Sequence, residues 1–531
     1  MPSLSPPRGL PVIRLRALPA LLAASLLALP PAPAAFAQGS TINLPSLGEV
    51  AGAELSSSME RKLGEQIMLE VRRDSTYLPD PETIEYLNRL GYRLVAVSPS
   101  RALDFVFFPI RDSMLNAFAL PGGFIGVHSG LVIAAQNESE LASVIGHEIG
   151  HVTQRHIARM IERQKDSTAI AIGTLLLAIL AARAGGSSSS DLAQAALFGG
   201  QAAAIQQQLN FSREAEREAD RVGFQTLQDA GYDVRGMESF FTRLQQGTRI
   251  YESAAPAYLR THPLTVERIS DIQNRTRGLP LKQRADSLDF RLVQARLRVL
   301  QETSHQGWRE QLEYFRSQIQ NRTSNLPAAA HYGAAVAALK LGQPAIAVEE
   351  AAAARKLTNE PSAMLDKLVA ETRYAAAKTP AEKQDALRLA REAASRFPLS
   401  AMTTRAYVDM LHEAGLHQQV IDTMREQQAI ARTDPNYYGL LGRAYSGLGK
   451  QSLHHQAVGE MYALMGAKVP AVQQFEQARR ANDGDFFTMS EIDARLRFLR
   501  DEVRREHDEL MGNTKTTEPN KRQPEPGNAR P

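Results

Sequence analysis

Residues 137–151 read NESELASVIGHEIGH, Asn137 through His151. Asn137 is a good N-cap, and Glu140 three residues on gives the pattern of a capping box, so a helix starts here. Leu141, Val144 and Ile145 make one side of it apolar, and the helical pattern continues to Gln164. His147 and His151 stand four residues apart, so on a helix both reach toward one ion. Glu148 lies beside the first histidine, where it can face a water activated by that ion and take its proton. The 531 residues include no cysteine. Disulfides, thiolate ligands and a cysteine nucleophile are therefore excluded, and a tight metal site must use His, Asp or Glu. A catalytic zinc takes three protein ligands and a water, so a third ligand is expected on a later element. Ser212 to Asp220 offers Glu214, Glu216 and Glu218, and spacing does not choose among them. Glu216 and Asp220 are one helical turn apart, so Glu216 can ligate while Asp220 accepts a hydrogen bond from a ligating histidine.

Upstream, Met59–Asp74 and Pro81–Val97 read as amphipathic helices around a turn at Pro79-Asp80. Asp104–Pro109 reads as a strand ended by Pro109. Asn116–Leu120 and Phe124–His128 read as two more strands, joined through Gly122-Gly123, a dipeptide suited to a tight hairpin. Downstream, Thr168–Ala182 is almost wholly apolar and is followed by Arg183, Gly185, Gly186 and serines. A membrane-contacting segment, a core helix and a lid all fit it. The run is short of the roughly 20 residues a crossing helix needs, and the hinge after it favours a lid. Asp191–Gln208 and Ser212–Asp229 read as helices. Thr261-His262-Pro263 marks a turn before a helix from Thr265 to Thr276.

The first 37 residues have the form of an export signal. Arg8, Arg14 and Arg16 precede the apolar Leu18–Leu29, and Ala35-Phe36-Ala37 offers a cleavage site. Export to the bacterial periplasm is the expectation, with a polar lead over 38–57. The net charge of +3 is nearly balanced, so no nucleic-acid surface is expected.

From about Asn325 the texture becomes alanine-rich and helical. Pro361, Pro398 and Pro435 fall 37 residues apart, and Gly415 and Gly449 are 34 apart. Tyr438, Leu441, Gly442 and Tyr445 repeat a W-x-x-L-G-x-x-Y spacing with Tyr for Trp. This is a tetratricopeptide-like pattern of about four degenerate repeats, a surface for a partner protein. Residues 512–531 are polar, charged and proline-rich, and disorder is expected there.

HEIGH followed by Ser212-Arg213-x-x-Glu216-x-x-Ala219-Asp220 resembles the gluzincin family that contains HtpX and the CAAX prenyl endopeptidases. Asn116-Ala117-Phe118-Ala119, Thr261-His262-Pro263 and Arg268-Ile269 match further stretches of that family. The resemblance implies one Zn2+ per chain, with His147, His151 and Glu216 as ligands, Asp220 behind them and Glu148 as general base. It implies that His262 approaches the metal, either as an extra ligand that holds the enzyme latent or as an oxyanion stabiliser with Arg268 nearby. Asn116, Ala117 and Phe118 would form an edge strand that pairs with an extended substrate. Those relatives carry spanning helices around the core, and none is expected in this sequence. A signal, this core and C-terminal repeats resemble the periplasmic proteases of β-barrel assembly. In that case substrates would be unfolded or misassembled outer-membrane proteins, and the repeats would recruit the β-barrel assembly machinery, with peripheral membrane contact left open. The fold expected is α+β and predominantly helical: a zincin-type core with a small sheet over 58–285, a helical connector over 286–324 and an α-solenoid over 325–511. The alternative function is a chaperone-like scaffold whose zinc site is latent.

Overall fold

The structure is a computed structural model and describes residues 56–99, 103–163, 212–250, 257–280, 282, 284–426 and 434–515. The signal over 1–37, the lead up to residue 55, Thr168–Ala182 and Asp191–Gln208 lie outside the described residues.

A three-stranded sheet has the order β1-β3-β2, with β1 Val106–Ile110, β2 Ala117–Leu120 and β3 Phe124–His128. β1 runs parallel to β3, pairing Val106 with Phe124, and β2 runs antiparallel, pairing Ala117 with Val127. The β2–β3 hairpin turns through Gly122 and Gly123 at φ 76° and 89°, a region glycine enters without steric cost. Alternation along the strands divides the sheet's two faces. Phe107, Ala117, Ala119, Ile125 and Val127 join Leu141, Val144, Ile145 and Ile149 in one core. Phe108, Ile110, Leu120 and Phe124 pack on Met68 and Val71 of the Ser57–Val71 helix.

Two expectations are corrected here. Pro109 does not end the first strand, which continues to Ile110. β1 is an edge strand, and the Pro109 carbonyl accepts from Leu78 N on its outer side. The missing N–H therefore removes no ladder bond. The helix expected over 137–164 is two helices, Glu138–Thr153 and His156–Arg163, parted at Arg155, whose φ is +53°. Asn137 does cap the first, accepting from Glu140 N at 2.9 Å, but the Glu140 carboxylate reaches the Gln136 amide instead of closing the box on Asn137.

After two helices, Leu288–Leu300 and His305–Asn321, the described residues form five helix pairs from Pro327 to Lys515, stacked as tetratricopeptide-like repeats. Pro361, Pro398 and Pro435 each stand at or just before the start of a pair, which explains their spacing. The last helix, Phe486–Lys515, carries through Gly512 to Lys515, where disorder was expected.

The Pro81–Val95 helix ties the sheet region to the repeats. Asp80, its N-cap, accepts from Arg296 at 2.6 Å and 2.9 Å, and Arg296 also pairs with Glu82 at 3.0 Å. Lys367 reaches Glu82 at 2.7 Å. Glu85 accepts from Ser400 Oγ and from Met402 N at the start of the Ala401–Glu413 helix. From the Pro81–Val95 helix, Tyr86 Oη donates to Glu138 Oε1 at the start of the Glu138–Thr153 helix. Asp80, Glu82 and Lys367 are all buried, and a buried charge without its partner is costly. Arg296→Ala is expected to destabilise the protein by about 3–5 kcal/mol, read as a lowered urea midpoint.

Candidate metal centre

Two helices approach through small residues. A β-carbon on Gly223 would stand 2.9 Å from His147 N, and one on Gly150 would stand 2.9 Å from Ala219 O. Gly146, Gly150, Ala219 and Gly223 thus allow the Arg213–Asp229 helix to lie backbone to backbone against the Glu138–Thr153 helix. Of the three glutamates, that contact brings Glu216 to the histidines. Glu216 faces the histidines at 1% exposure. Glu214 is an exposed partner of Arg217, and Glu218 reaches His156.

His147, His151, Glu216 and His262 bring ligand-capable atoms within 4.8 Å of one another. His147 Nε2 lies 3.0 Å from His151 Nε2 and 3.4 Å from Glu216 Oε2, and His262 Nδ1 lies 3.0 Å from Glu216 Oε1. Donors placed tetrahedrally around zinc at about 2.0–2.1 Å are separated by about 3.3 Å. The closest of these separations, 3.0–3.4 Å, are of that size. Cobalt or manganese would also suit nitrogen and oxygen donors.

Charge balance in this buried cluster falls to Asp220 and Arg268. His147 Nδ1 lies 2.9 Å from Asp220 Oδ1. Arg268 grips Asp220 with Nε at 2.6 Å and Nη2 at 2.8 Å, and sets Nη1 2.7 Å from Glu216 Oε2. Arg268 Nη1 also donates to the Pro263 carbonyl at 2.8 Å. Burial favours the neutral Asp220 carboxyl, but Arg268 and His147 hold it below the usual carboxylate range. Burial also opposes a charged His147, yet Asp220 and Glu216 hold it up to about 9. Burial pulls His151 well below the usual histidine value.

Glu148 is fully buried, and neither carboxylate oxygen makes a well-formed hydrogen bond. Burial raises its pKa; the His262 and His147 rings and the Ala119 amide act the other way. A carboxyl raised in this way is better matched to proton transfer near neutrality. His262 Nε2 lies 3.5 Å from Glu148 Oε1, and its ring stacks on Tyr258 at 4.6 Å. Tyr258 and His156 are functional neighbours that spacing did not single out. His156 Nδ1 lies 2.9 Å from His151 Nδ1. Asn116, Ala117 and Phe118 lie on or beside β2, at the edge of the sheet, with Asn116 O accepting from His128 N.

A helix carrying H-E-x-x-H, completed by a glutamate from a second helix, is the constellation of a metalloprotease. Peptidase family M48 matches residues 81–276. The beta-barrel assembly-enhancing protease of Escherichia coli (strain K12) is 31% identical over 481 residues, covering 88% of this chain and 93% of that protein. A Vibrio cholerae relative is 45% identical over 267 residues, and there the chain spans about half of each protein, 50% of this one and 53% of the other. A tetratricopeptide repeat protein from Parabacteroides merdae aligns with a TM-score of 0.26 at 11% identity, over 49% of this chain and 98% of that one. The chain belongs to peptidase family M48, with the beta-barrel assembly-enhancing proteases as its relatives along most of its length.

Replacing Arg268 by Ala frees Asp220 and loosens Glu216. Zinc affinity, measured by competition with a chromogenic chelator, is expected to fall about 10- to 100-fold.

Proposed function

We propose that this metalloprotease is a zinc-dependent endopeptidase of the bacterial periplasm that cleaves misfolded or stalled outer-membrane proteins and assists their assembly. The observation that carries the reading is the tetrahedral-sized donor set beside a buried Glu148 that has no fixed hydrogen bond. His147, His151 and Glu216 would hold the zinc. Bound there, zinc supplies Lewis acidity, polarising the scissile carbonyl and making a water easier to deprotonate. Glu148 takes the water's proton and returns it to the leaving amine. An extended substrate strand is held along the open edge of β2. Since the Asn116 carbonyl turns inward to His128 N, alternation turns the polar groups of Ala117 and Ala119 outward, and the Ala119 amide faces Glu148.

His262 supplies the fourth donor, and with its other nitrogen it faces Glu148. In this reading the geometry is the resting, latent one, and His262 withdraws to admit water and substrate. The export signal and the β-barrel substrates are supported by the form of residues 1–37 and by the relatives' name. Among the described residues no helix is long and apolar enough to cross a membrane. The repeats would recruit the β-barrel assembly machinery, since stacked helix pairs offer an extended surface for a protein.

The test uses an unfolded outer-membrane β-barrel protein as substrate. Glu148→Gln should hold zinc as the wild type does and lose about 10²- to 10⁴-fold in cleavage rate. If both chains bind zinc and neither cleaves, even with His262 removed, the scaffold reading replaces this one. His262→Ala should cleave faster than the wild type with zinc retained. A slower variant would mean that His262 aids the reaction and does not restrain it.

A further inference from the structure

His151 and His147 dispose of their second ring nitrogens differently. His147 turns Nδ1 to the Asp220 carboxylate. His151 turns Nδ1 to another imidazole, His156 Nδ1 at 2.9 Å. His156 Nε2 lies 3.1 Å from Glu218 Oε2, and Arg159 Nη1 donates to the same oxygen at 2.8 Å. His156 is 2% exposed.

Proton placement along this row has one arrangement that leaves His151 able to ligate. Glu218 takes the Arg159 guanidinium on the same oxygen that His156 Nε2 faces, and a carboxylate in such an ion pair only accepts. His156 therefore donates from Nε2, and in a neutral ring its Nδ1 is an acceptor. His151 then carries its proton on Nδ1, which leaves the Nε2 lone pair facing Glu216, His147 and His262. The opposite tautomer would set a proton on Nε2, where the ion belongs.

The backbone is shaped for this contact. On an unbroken helix, a residue five positions after His151 would point about 140° away from it. The break at Arg155, with φ +53°, turns His156 back onto the ring of His151. A residue with a β-carbon enters that region only at a steric penalty. Arg155 is held there by Glu60 of the Ser57–Val71 helix, which accepts from its Nε at 3.2 Å and its Nη2 at 3.0 Å.

We propose that His156 is a positioning residue for the metal centre: held by Glu218 and by the Arg155 break, it accepts a hydrogen bond from His151 Nδ1–H and so keeps His151 Nε2 unprotonated toward the ion's place. The proposal rests on the metal-site reading above. Its test is zinc affinity by chelator competition, beside the unfolding midpoint of the metal-free chain. His156→Ala should weaken zinc binding about tenfold or more in the chain that is still folded, as the metal-free midpoint establishes. His156→Asn, whose Oδ1 stands near the place of Nδ1 and accepts, should recover most of the loss. Glu218→Ala, a milder change at the rim, should weaken binding in the same direction, and it decides the matter if His156→Ala does not fold. Undiminished affinity in His156→Ala and Glu218→Ala overturns the proposal. So does a loss that Ala and Asn share equally, which is the mark of packing damage. A wild-type chain that holds no zinc would overturn the metal site itself, a result distinct from either.

Discussion

The structure depends on the contact between the two helices that carry His147 and Glu216. A carboxylate brought into a buried histidine pair must arrive on a backbone that comes very close. Only small residues at the crossing permit it, and Gly146, Gly150, Ala219 and Gly223 provide that. Close approach then creates an electrostatic problem. Glu148, Glu216 and Asp220 are all buried within one small volume, and buried carboxylates repel one another strongly. Arg268, from a third helix, spans Asp220 and Glu216 and offsets part of that charge. The remainder suits a dication. The fold thus assembles a donor set that is most comfortable with an ion between its members.

The HEIGH sequence made the site legible because ligand spacing on one helix is set by local geometry alone. Glu216 and Asp220 were visible as a pair one turn apart, but spacing left Glu214 and Glu218 open beside Glu216. The choice turns on which side of the Arg213–Asp229 helix meets Gly146 and Gly150, a tertiary fact. Those glycines, four apart like Ala219 and Gly223, were the signal that could have chosen. Arg268 was noticed, yet its direction was not readable. A guanidinium near such a cluster can turn toward the cleft or toward the buried carboxylates, and here it turns to Asp220 and Glu216.

His156 escaped notice for a different reason. The helical pattern runs on past it without glycine or proline, so the sequence offers no cue for a break. The break exists because Arg155 finds Glu60 almost a hundred residues earlier in the chain. The sheet was more legible, since strand alternation and Gly122-Gly123 are local signals. Pro109 misled because its effect depends on which side of the strand is free, and only the strand order reveals that. The repeats showed through Pro361, Pro398 and Pro435, set at or just before the start of a new helix pair.

The position of His262 narrows how such a site could be restrained. Its Nδ1 lies among the donors and its Nε2 faces Glu148. A hydrolytic water needs both of those places at once, one lone pair toward the metal and one proton toward the base. A single imidazole therefore covers both ends of the water's position. Tyr258 stacks flat on that ring, and Tyr258 N donates to the Leu115 carbonyl. Leu115 directly precedes Asn116 and β2, the edge proposed to hold substrate. A strand added to that edge lies against the segment that steadies Tyr258, and through Tyr258 it bears on His262. On the proposed reading, engaging an extended chain and clearing the water's place are physically connected, because both act on one short stretch of backbone from Leu115 to Ala119.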